Sequence, residues 1–474
     1  MNSKTINPPD AMHLPGLIHA CLCFVGLLVW ISVGIFILDA GLHGILLVGL
    51  TWVALNVMAL GFDYQQLRIA MLTGMGRAMP ALFIFLLIGV VIATFILSGT
   101  VGTLVYYGLI FLHPAIFLPA GLILCSLMSL ATGTSWGTVG TGGIVLISIG
   151  GAMGMPLPLV AGMIISGASF GDKMSPVSDT TNLAALSADT DLYAHIKSMM
   201  YTTIPSYLIV LIAFSWMGLS FAEQQLPDAE LQVLLNGLDA TYEINLLMLL
   251  PMVVLMALAI RKVAAEAAMM VASLVAMLLA ILVQGAGVGQ VLTSLFDGAS
   301  AETGIETLDI LLNRGGITDM AWTFTLSVIA ISLGALLEHF GFLKVLFDAV
   351  LSGLKRQAAI VTGSILTALG GNIVLSESYI SIILGGQLFK DAYNKSGIDR
   401  SVLSRSLEEG STLTTALVPW STTGAFYTAT LGVATLDYAQ WSLLNWINPL
   451  VAILFAWLGI ALFQTRSRYE STEP

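Results

Sequence analysis

A polar segment interrupts two strongly apolar stretches of this chain. Residues 167–182 read GASFGDKMSPVSDTTN and contain two aspartates, a lysine, a proline and several hydroxyl side chains. An ionisable group in hydrocarbon is costly and persists mainly where a function needs it. Proline and glycine at such a depth also break a helix and free backbone carbonyls. The segment therefore predicts a broken helix that carries carboxylates inside a membrane.

The composition fixes the class of protein. The chain is 57% hydrophobic and only 9% charged, with a mean hydropathy of +0.92, whereas soluble domains carry about 25% charged residues. These values predict an all-α polytopic membrane protein in contact with a lipid bilayer. The net charge of −11 argues against a nucleic-acid partner. Three cysteines in apolar segments and six scattered histidines indicate neither a disulfide framework nor a metal site, and no cofactor is expected.

The apolar runs predict ten full spans, since about 20 apolar residues cross a bilayer. Two further stretches, 115–150 and 357–388, are too long for one helix and rich in glycine, so we expect re-entrant helical hairpins with polar turns. The predicted spans are 14–37, 43–60, 79–98, 157–182, 198–220, 244–261, 265–285, 320–340, 406–432 and 441–464.

The distribution of basic residues predicts the orientation of the spans. The loops 221–243 and 286–319 are acidic, with Arg314 as their one basic residue, and fit the outside. The N-terminus 1–13 and the tail 465–474 then lie in the cytoplasm of a bacterium, and the protein spans its inner (plasma) membrane. The basic residues assigned to the cytoplasmic side are Arg68, Arg77, Arg261, Lys262, Lys344, Lys355, Arg356, Lys390, Lys395, Arg400, Arg405, Arg466 and Arg468.

The order of segments repeats. Residues 14–220 and 243–464 each contain five spans and one hairpin, joined by the acidic linker 221–242. An odd number of spans makes the two halves insert in opposite directions, which predicts an inverted repeat with sites at the interface between the halves. Aligning Ala131 with Ala368 places Asp172 on Glu409. The segments 99–114 and 341–356 are then matching interfacial helices.

Several long motifs resemble the NhaC family of sodium/proton antiporters. The resemblance implies proton-linked exchange of sodium, although related members move malate against lactate, or amino acids. The family pattern has an asparagine where this chain has Ser421, and Glu-Asp where it has Glu408 and Glu409. The motifs are ATGTSWGTVGT (131–141), AGMIISGASFGDKMSPVSDTTNLA (161–184), DLYAHIKSMMYTTIP (191–205), SRSLEEGSTLTTALVPW (404–420) and GAFYTATLGV (424–433).

The first half supplies oxygen atoms suited to a hard cation such as Na⁺. Asp172 and Asp179 flank the break at Pro176, so both could converge on one ion, and Asp179 is the expected central carboxylate. In the alternative, Asp179 caps the second half-helix and Asp172 pairs with Lys173. The further candidate ligands in this half are Ser175, Thr180, Thr181 and Asn182, together with Thr134 and Ser135 at the tip of the first hairpin.

The second half repeats this pattern with other residues. At the predicted alignment Asn372 replaces Ser135, and Glu377 follows inside the second hairpin. Adjacent glutamates point about 100° apart on a helix, so only one of Glu408 and Glu409 is expected to face the site. We expect Glu377 to be the most buried of the three glutamates, with pairing to Arg405 or to a nearby backbone amine as the alternative. Candidate gate or pocket residues are Trp136, Trp420 and Ser421.

Three functions compete for this pattern. A sodium/proton antiporter needs only that Na⁺ and H⁺ compete for buried carboxylates while the site changes its access. A transporter of an organic acid or amino acid could use the same scaffold and bind the carboxylate of its solute at a helix end. An intramembrane aspartyl protease is disfavoured because Ser169–Asp172 lacks a GxGD signature, so no enzyme activity is expected. The oligomeric state, including a homodimer, stays open.

Overall fold

The computed structural model describes residues 14–111, 113–176, 178–222, 228–261 and 263–463. The predicted cytoplasmic N-terminus 1–13 and tail 465–474 lie outside these residues. Across the described ranges the secondary structure is helical, as expected for an all-α membrane protein. The helices are α1 (Leu17–Phe36), α2 (Leu42–Ala59), α3 (Tyr64–Leu97), α4 (Thr100–Phe111), α5 (Pro114–Thr132), α6 (Ser135–Thr138), α7 (Ile144–Ala152), α8 (Leu157–Met174), α9 (Asp179–Ala188), α10 (Leu192–Leu219), α11 (Asp228–Thr241), α12 (Leu250–Ile260), α13 (Ala265–Leu282), α14 (Val288–Asp297), α15 (Glu306–Leu312), α16 (Gly316–His339), α17 (Phe342–Ser352), α18 (Gln357–Leu375), α19 (Ser378–Ser396), α20 (Arg400–Leu407), α21 (Thr422–Leu431), α22 (Thr435–Ala439) and α23 (Leu443–Trp457).

Long apolar helices make this a multi-pass membrane protein. Within the described ranges, eight helices are long and apolar enough to span a bilayer, or nine if one bent pair counts as a span. The predicted number of ten spans is therefore not confirmed. The bent pair, Leu231–Thr241 and Leu246–Leu258, turns by 83°, so most of the described part of the acidic linker is helical.

The third span is longer than predicted. It begins at Tyr64 rather than at residue 79, because Asp63 and Gln66 form a capping box at its N-terminus. Arg77 therefore lies within α3, where it forms an ion pair with Glu338 of α16 at 2.6 Å. The two helices also pack closely, since an added Cβ at Gly74 would lie 2.5 Å from the Cβ of Ala335.

Each predicted hairpin is a pair of helical arms joined by a short turn. In the first hairpin, α5 ends at Gly133, whose φ of 71° is left-handed, and Thr134 caps the next helix. In the second, α18 ends at Ser376, whose φ is 60°, and Glu377 caps α19. The second arm of the first hairpin continues through a π-helical turn, Val139–Gly143, into α7. The segments 99–114 and 341–356, which were predicted as interfacial helices, contain the helices α4 and α17.

Two broken helices follow the hairpins. The first consists of α8 and α9, separated at residues 175–178. The second begins with α20, continues through the π-helical turn Glu408–Thr412 and a short 3₁₀ turn, and resumes as α21 after residues 418–421. Prolines at 176 and 419 lack the N–H that a continuous helix needs, which explains why both helices break there.

The helix bounds revise the predicted alignment of the two halves. α5 and α18 have the same length, and so do α9 and α21, with the later helix of each pair starting and ending 243 positions after the earlier one. The predicted pairing of Ala131 with Ala368 used an offset of 237 and is wrong in register. At the observed offset, Thr134 corresponds to Glu377 and Asp179 to Thr422, so Asp172 and Glu409 are not counterparts.

The helices around the first break pack at short distance. An added Cβ at Gly171 of α8 would lie 2.4 Å from the backbone of Ser126 and Leu130 in α5, and Gly167 is similarly close to Leu122. Small residues thus let α5 and α8 approach each other, as in many membrane helix pairs. This contact fixes the position of α8 along the first arm of the first hairpin.

Candidate functional site

Asp172 joins three separate elements near the end of α8. Its Oδ2 accepts a hydrogen bond of 2.6 Å from the Ser135 hydroxyl at the tip of the first hairpin. Its Oδ1 accepts another of 2.6 Å from Ser178, which precedes α9. The carboxylate is buried. These bonds place Asp172 where the hairpin tip and both halves of the first broken helix meet.

Most polar residues around the first break satisfy backbone groups. The Thr181 hydroxyl donates to the carbonyls of Asp172 and Lys173 at 3.3 and 3.1 Å. Asn182 is exposed, and its amide donates to the carbonyls of Pro176 and Ser178. The Ser175 hydroxyl donates to the Leu130 carbonyl at 2.9 Å. In this conformation, therefore, their donors hold the break together.

Glu408 is the second buried carboxylate of the site. It begins the π-helical turn of the second broken helix and has no exposed surface. Among the described residues, neither carboxylate oxygen accepts a hydrogen bond of ordinary geometry, and the hydroxyls of Thr180 and Thr412 face it. A buried acceptor without a bond is costly, and π turns occur frequently at functional sites. Glu408 is thus available to a ligand.

Hydroxyl groups connect the two buried carboxylates. Ser178 donates to Asp172, and its hydroxyl lies 3.1 Å from that of Thr180. Thr180 in turn faces Glu408. The chain Asp172–Ser178–Thr180–Glu408 therefore links the first broken helix to the second through oxygen atoms alone.

Glu409 belongs to a buried cluster of charges within electrostatic range of Glu408. Lys173 Nζ lies 3.7 Å and Arg405 Nε 3.8 Å from the same oxygen, Glu409 Oε1, and all three side chains are fully buried. Thr202 of α10 donates a hydrogen bond to that oxygen as well. The alternative in which Lys173 pairs with Asp172 is wrong, because its ion pair is with Glu409.

Arg405 is the residue of this cluster that sequence reasoning misplaced. It was predicted in a cytoplasmic loop, yet it is buried in α20 and donates to the Ser198 and Ala461 carbonyls. Its spacing of four residues from Glu409 on a helix could have revealed the pair. His195 of α10 also lies here, with Nδ1 2.6 Å from the Ser404 hydroxyl.

Two further carboxylates lie at the less buried side of the site. Asp179, the expected central carboxylate, is exposed in the first turn of α9 rather than buried, although its charge acts on Asp172. Glu377 is half-buried, and its Oε2 accepts a hydrogen bond of 2.9 Å from Thr422. The expectation that Glu377 is the most buried glutamate is wrong, as is its pairing with Arg405, whereas its Oε1 does accept from a backbone amine, the N–H of Tyr379. Tyr379 is within electrostatic range of Asp172, Asp179, Glu377 and Glu408.

The other predicted ligands of the hairpins have structural hydrogen bonds. Thr134 accepts from the backbone N–H of Gly137 as a helix cap. The Asn372 amide donates to the Ser411 carbonyl and to the Thr414 hydroxyl at 2.7 and 2.9 Å. Both therefore hold the turns of the site in this conformation.

Trp136, one of the predicted gate residues, lies in an aromatic stack. It stacks on Phe426 of α21 with ring centroids 4.4 Å apart, and Phe85 of α3 stacks on both rings. Its indole N–H donates to Thr423 at 3.3 Å. This stack joins the tip of the first hairpin to the second broken helix.

Trp420 and Ser421 stabilise the second break. The Trp420 indole donates to the Ile373 carbonyl at 2.7 Å. The Ser421 hydroxyl caps α21 by accepting from Gly424, and it also donates to the Thr415 carbonyl. Ser421 is fully buried, so the serine at this position is a helix cap. Its presence in place of the family's asparagine gives no support to a pocket reshaped for an organic solute.

Broken helices that meet at buried carboxylates inside a multi-pass helical protein define a secondary membrane transporter. A family model described as "Na+/H+ antiporter family" matches residues 167–460. The chain belongs to this family, and its predicted resemblance to the NhaC antiporters is confirmed.

Similar proteins cover nearly the whole chain. The malate-2H⁺/Na⁺-lactate antiporter of Bacillus subtilis is 37% identical over 87% of this chain and 88% of its own. The Na⁺/H⁺ antiporter NhaC of Alkalihalophilus pseudofirmus is 36% identical over 92% of this chain and 94% of its own. The arginine/ornithine antiporter ArcD of Halobacterium salinarum is 31% identical over 96% and 94%.

Proposed function

We propose that this protein exchanges Na⁺ for H⁺ and binds the transported ion between Asp172 and Glu408. The observation that carries the proposal is the chain of oxygen atoms that joins these buried carboxylates through Ser178 and Thr180. Na⁺ is a hard cation that prefers carboxylate and hydroxyl oxygens. The NhaC relative supports the choice of Na⁺ and H⁺ as the exchanged ions.

Competition between the two ions explains exchange. An ionised carboxylate away from water needs a cation beside it, whereas a protonated one does not. Na⁺ and H⁺ therefore exclude each other from Glu408, and each loaded form can change its access to the two sides. The cluster of Lys173, Arg405 and Glu409 holds two cations against one carboxylate, and Lys173 also acts electrostatically on Glu408.

Asp179 and Glu377 form the approach to the site in this proposal. They are the less buried carboxylates, and Tyr379 lies near both. At the observed offset between the halves, Asp179 corresponds to Thr422 and Thr134 to Glu377, so each half offers one acid and one hydroxyl at these two positions. Thr181, Asn182, Ser175, Ser135 and Asn372 complete the proposed surroundings of the ion.

We also propose that the matched segments form an inverted repeat with 14–220 and 243–464 as its halves. The equal lengths of α5 and α18, and of α9 and α21, and their common offset of 243 positions support this arrangement. Both termini lie in the cytoplasm and the protein spans the bacterial plasma membrane, in accordance with the basic loops.

An organic acid or amino acid is the second candidate substrate. The malate/lactate and arginine/ornithine relatives favour it. Within the described residues, Lys173 Nζ and two Arg405 nitrogens make no hydrogen bond of ordinary geometry, so they could face the carboxylate of a solute. Against it, both cations already lie next to Glu409.

One vesicle experiment separates the two functions. Inside-out vesicles carrying an imposed pH gradient receive Na⁺, Li⁺ or K⁺ alone, and then malate, lactate or arginine, with a fluorescent pH reporter. We expect Na⁺ alone to collapse the gradient in wild type but not in Glu408→Gln. A response that requires an organic solute would refute the proposal of sodium/proton exchange and favour solute transport.

A further inference from the structure

An arginine from a distant loop holds the end of α21. Arg314, between α15 and α16, donates to the carbonyls of Ala429, Thr430 and Leu431 at 3.3 to 3.4 Å. These are the last carbonyls of the helix, which have no partner within it, and a cation there also complements the helix dipole. The next residue is Gly432, with a φ of 71°.

The glycine at 432 leaves room for this arginine. An added Cβ there would lie 2.6 Å from the Arg314 guanidinium. Gly315 follows Arg314, and its N–H donates to Asp319 at 2.6 Å, which fixes the loop at the start of α16. The guanidinium thus connects α21 to α16.

The corresponding helix of the first half also has an arginine at its end, bound there to a side-chain carboxylate rather than to backbone carbonyls. α9 ends at Asp189, whose φ of 57° is left-handed and whose position corresponds to Gly432. Arg400, at the start of α20, forms an ion pair with the Asp189 carboxylate and donates to Asn394 at 3.1 Å. In both halves an arginine from elsewhere in the chain therefore holds the far end of the second half-helix.

These two half-helices carry parts of the site at their other ends. α9 begins with Asp179 and Thr180, close to the two buried carboxylates. α21 begins with Thr422, which is bonded to Glu377, and carries Phe426 in the Trp136 stack. Each helix has only ten residues, so a shift at its held end moves the site end as well.

We propose that Arg314 and Arg400 are positioning residues that control access to the site, Arg314 from the outer face and Arg400 from the cytoplasmic face. This inference rests on the proposed sodium/proton exchange and on the proposed inverted repeat. Arg314 is half-buried and contacts three carbonyls, whereas the Arg400–Asp189 pair is largely exposed. Release of either arginine lets its half-helix tilt and admits water from that side.

The first test measures access without relying on transport. In a protein with Cys21, Cys23 and Cys125 replaced by alanine, Thr430→Cys places a thiol beside Arg314, since Thr430 is fully buried. An impermeant maleimide is added from the outer side of right-side-out vesicles. We expect little labelling with Arg314 intact, at least tenfold faster labelling with Arg314→Gln, and an intermediate rate with Arg314→Lys.

The second test uses the sidedness of sodium activation. Arg314→Gln is expected to change the half-saturating Na⁺ concentration at least threefold when Na⁺ is added outside, with little change when it is added inside. Arg400→Gln is expected to show the reverse. Arg261→Gln, at an exposed arginine after α12, is the matched control and should change neither.

The outcomes separate this inference from the proposed function. Unchanged labelling of Thr430→Cys in Arg314→Gln, or equal shifts on both sides, would overturn the positioning role. If Arg314→Gln does not assemble, the labelling rate of Arg314→Lys decides in the same way. Lack of any Na⁺ response in wild type would refute sodium/proton exchange, while the labelling rates would still decide whether Arg314 controls access.

Discussion

At the residue scale, the proposed ion site depends on two carboxylates that reach the same place from different helices. Glu408 has no exposed surface and no ordinary hydrogen bond among the described residues. We predict that Glu408→Gln abolishes sodium-dependent proton movement in vesicles, because the neutral amide has no charge to balance that of Na⁺ and takes up no proton. Glu243→Gln, at an exposed acidic residue of the linker region, is the matched control and should retain the wild-type rate. If the Glu408→Gln variant is as active as wild type, Glu408 is not part of the ion site.

The buried charge cluster yields a second prediction at this scale. Removing one partner of a buried ion pair costs about 3–5 kcal/mol, because the other charge is left uncompensated. Glu409→Gln should therefore lower the thermal stability of the purified protein, because it leaves Lys173 and Arg405 buried without their carboxylate, and adding Lys173→Met should recover part of the loss. Thermal unfolding in detergent measures both. Equal losses in the single and double variants would show that the 3.7 Å pair carries no coupling.

Sequence reasoning located part of this site and missed part of it. The acid–proline pattern around Asp172 and Pro176 identified the first break, since few helices tolerate both inside a membrane. Arg405 was assigned to a loop because a basic residue near a span end usually faces the cytoplasm. Burial of Arg405 depends on Glu409 and on α10, a partner that lies about 200 positions earlier in the chain.

At the element scale, the close approach of α5 and α8 determines where Asp172 lies. Gly171 has the backbone of α5 within 2.4 Å of its missing Cβ. We predict that Gly171→Val separates these helices and destabilises the protein by about 1–3 kcal/mol, as overpacking of a core does. Gly76→Val is the matched control, because nothing lies within 4 Å of that position. Thermal unfolding measures both variants, and an equal loss of stability would show that the contact of Gly171 with α5 is not important for stability.

The hairpins and breaks show what an apolar pattern can and cannot specify. Gly133 predicts a turn and Pro176 predicts a helix break, and the structure has both where they are expected. The register between the halves was wrong because short motifs such as Ala-x-Gly recur by chance in glycine-rich helices. The left-handed residue Ser376, a serine rather than a glycine, gave no such signal.

At the scale of the whole molecule, the proposed topology places the segment around α14 outside and the loop after α19 inside. We predict that Asp297→Cys is labelled by an impermeant maleimide only from the outer side, and Lys395→Cys only from the cytoplasmic side, since both native residues are exposed. The cysteine-free parent is the control for background. Labelling of both cysteines from the same side would contradict the inverted repeat.

The measurement that tests the central claim most directly is sodium-driven proton movement in reconstituted vesicles, with wild type, Asp172→Asn and Glu408→Gln compared at equal protein content. We predict that Na⁺ alone dissipates the pH gradient in wild type and that each variant loses at least tenfold in rate. A wild-type response to Na⁺ that both variants retain would contradict the assignment of Asp172 and Glu408 as the ion site.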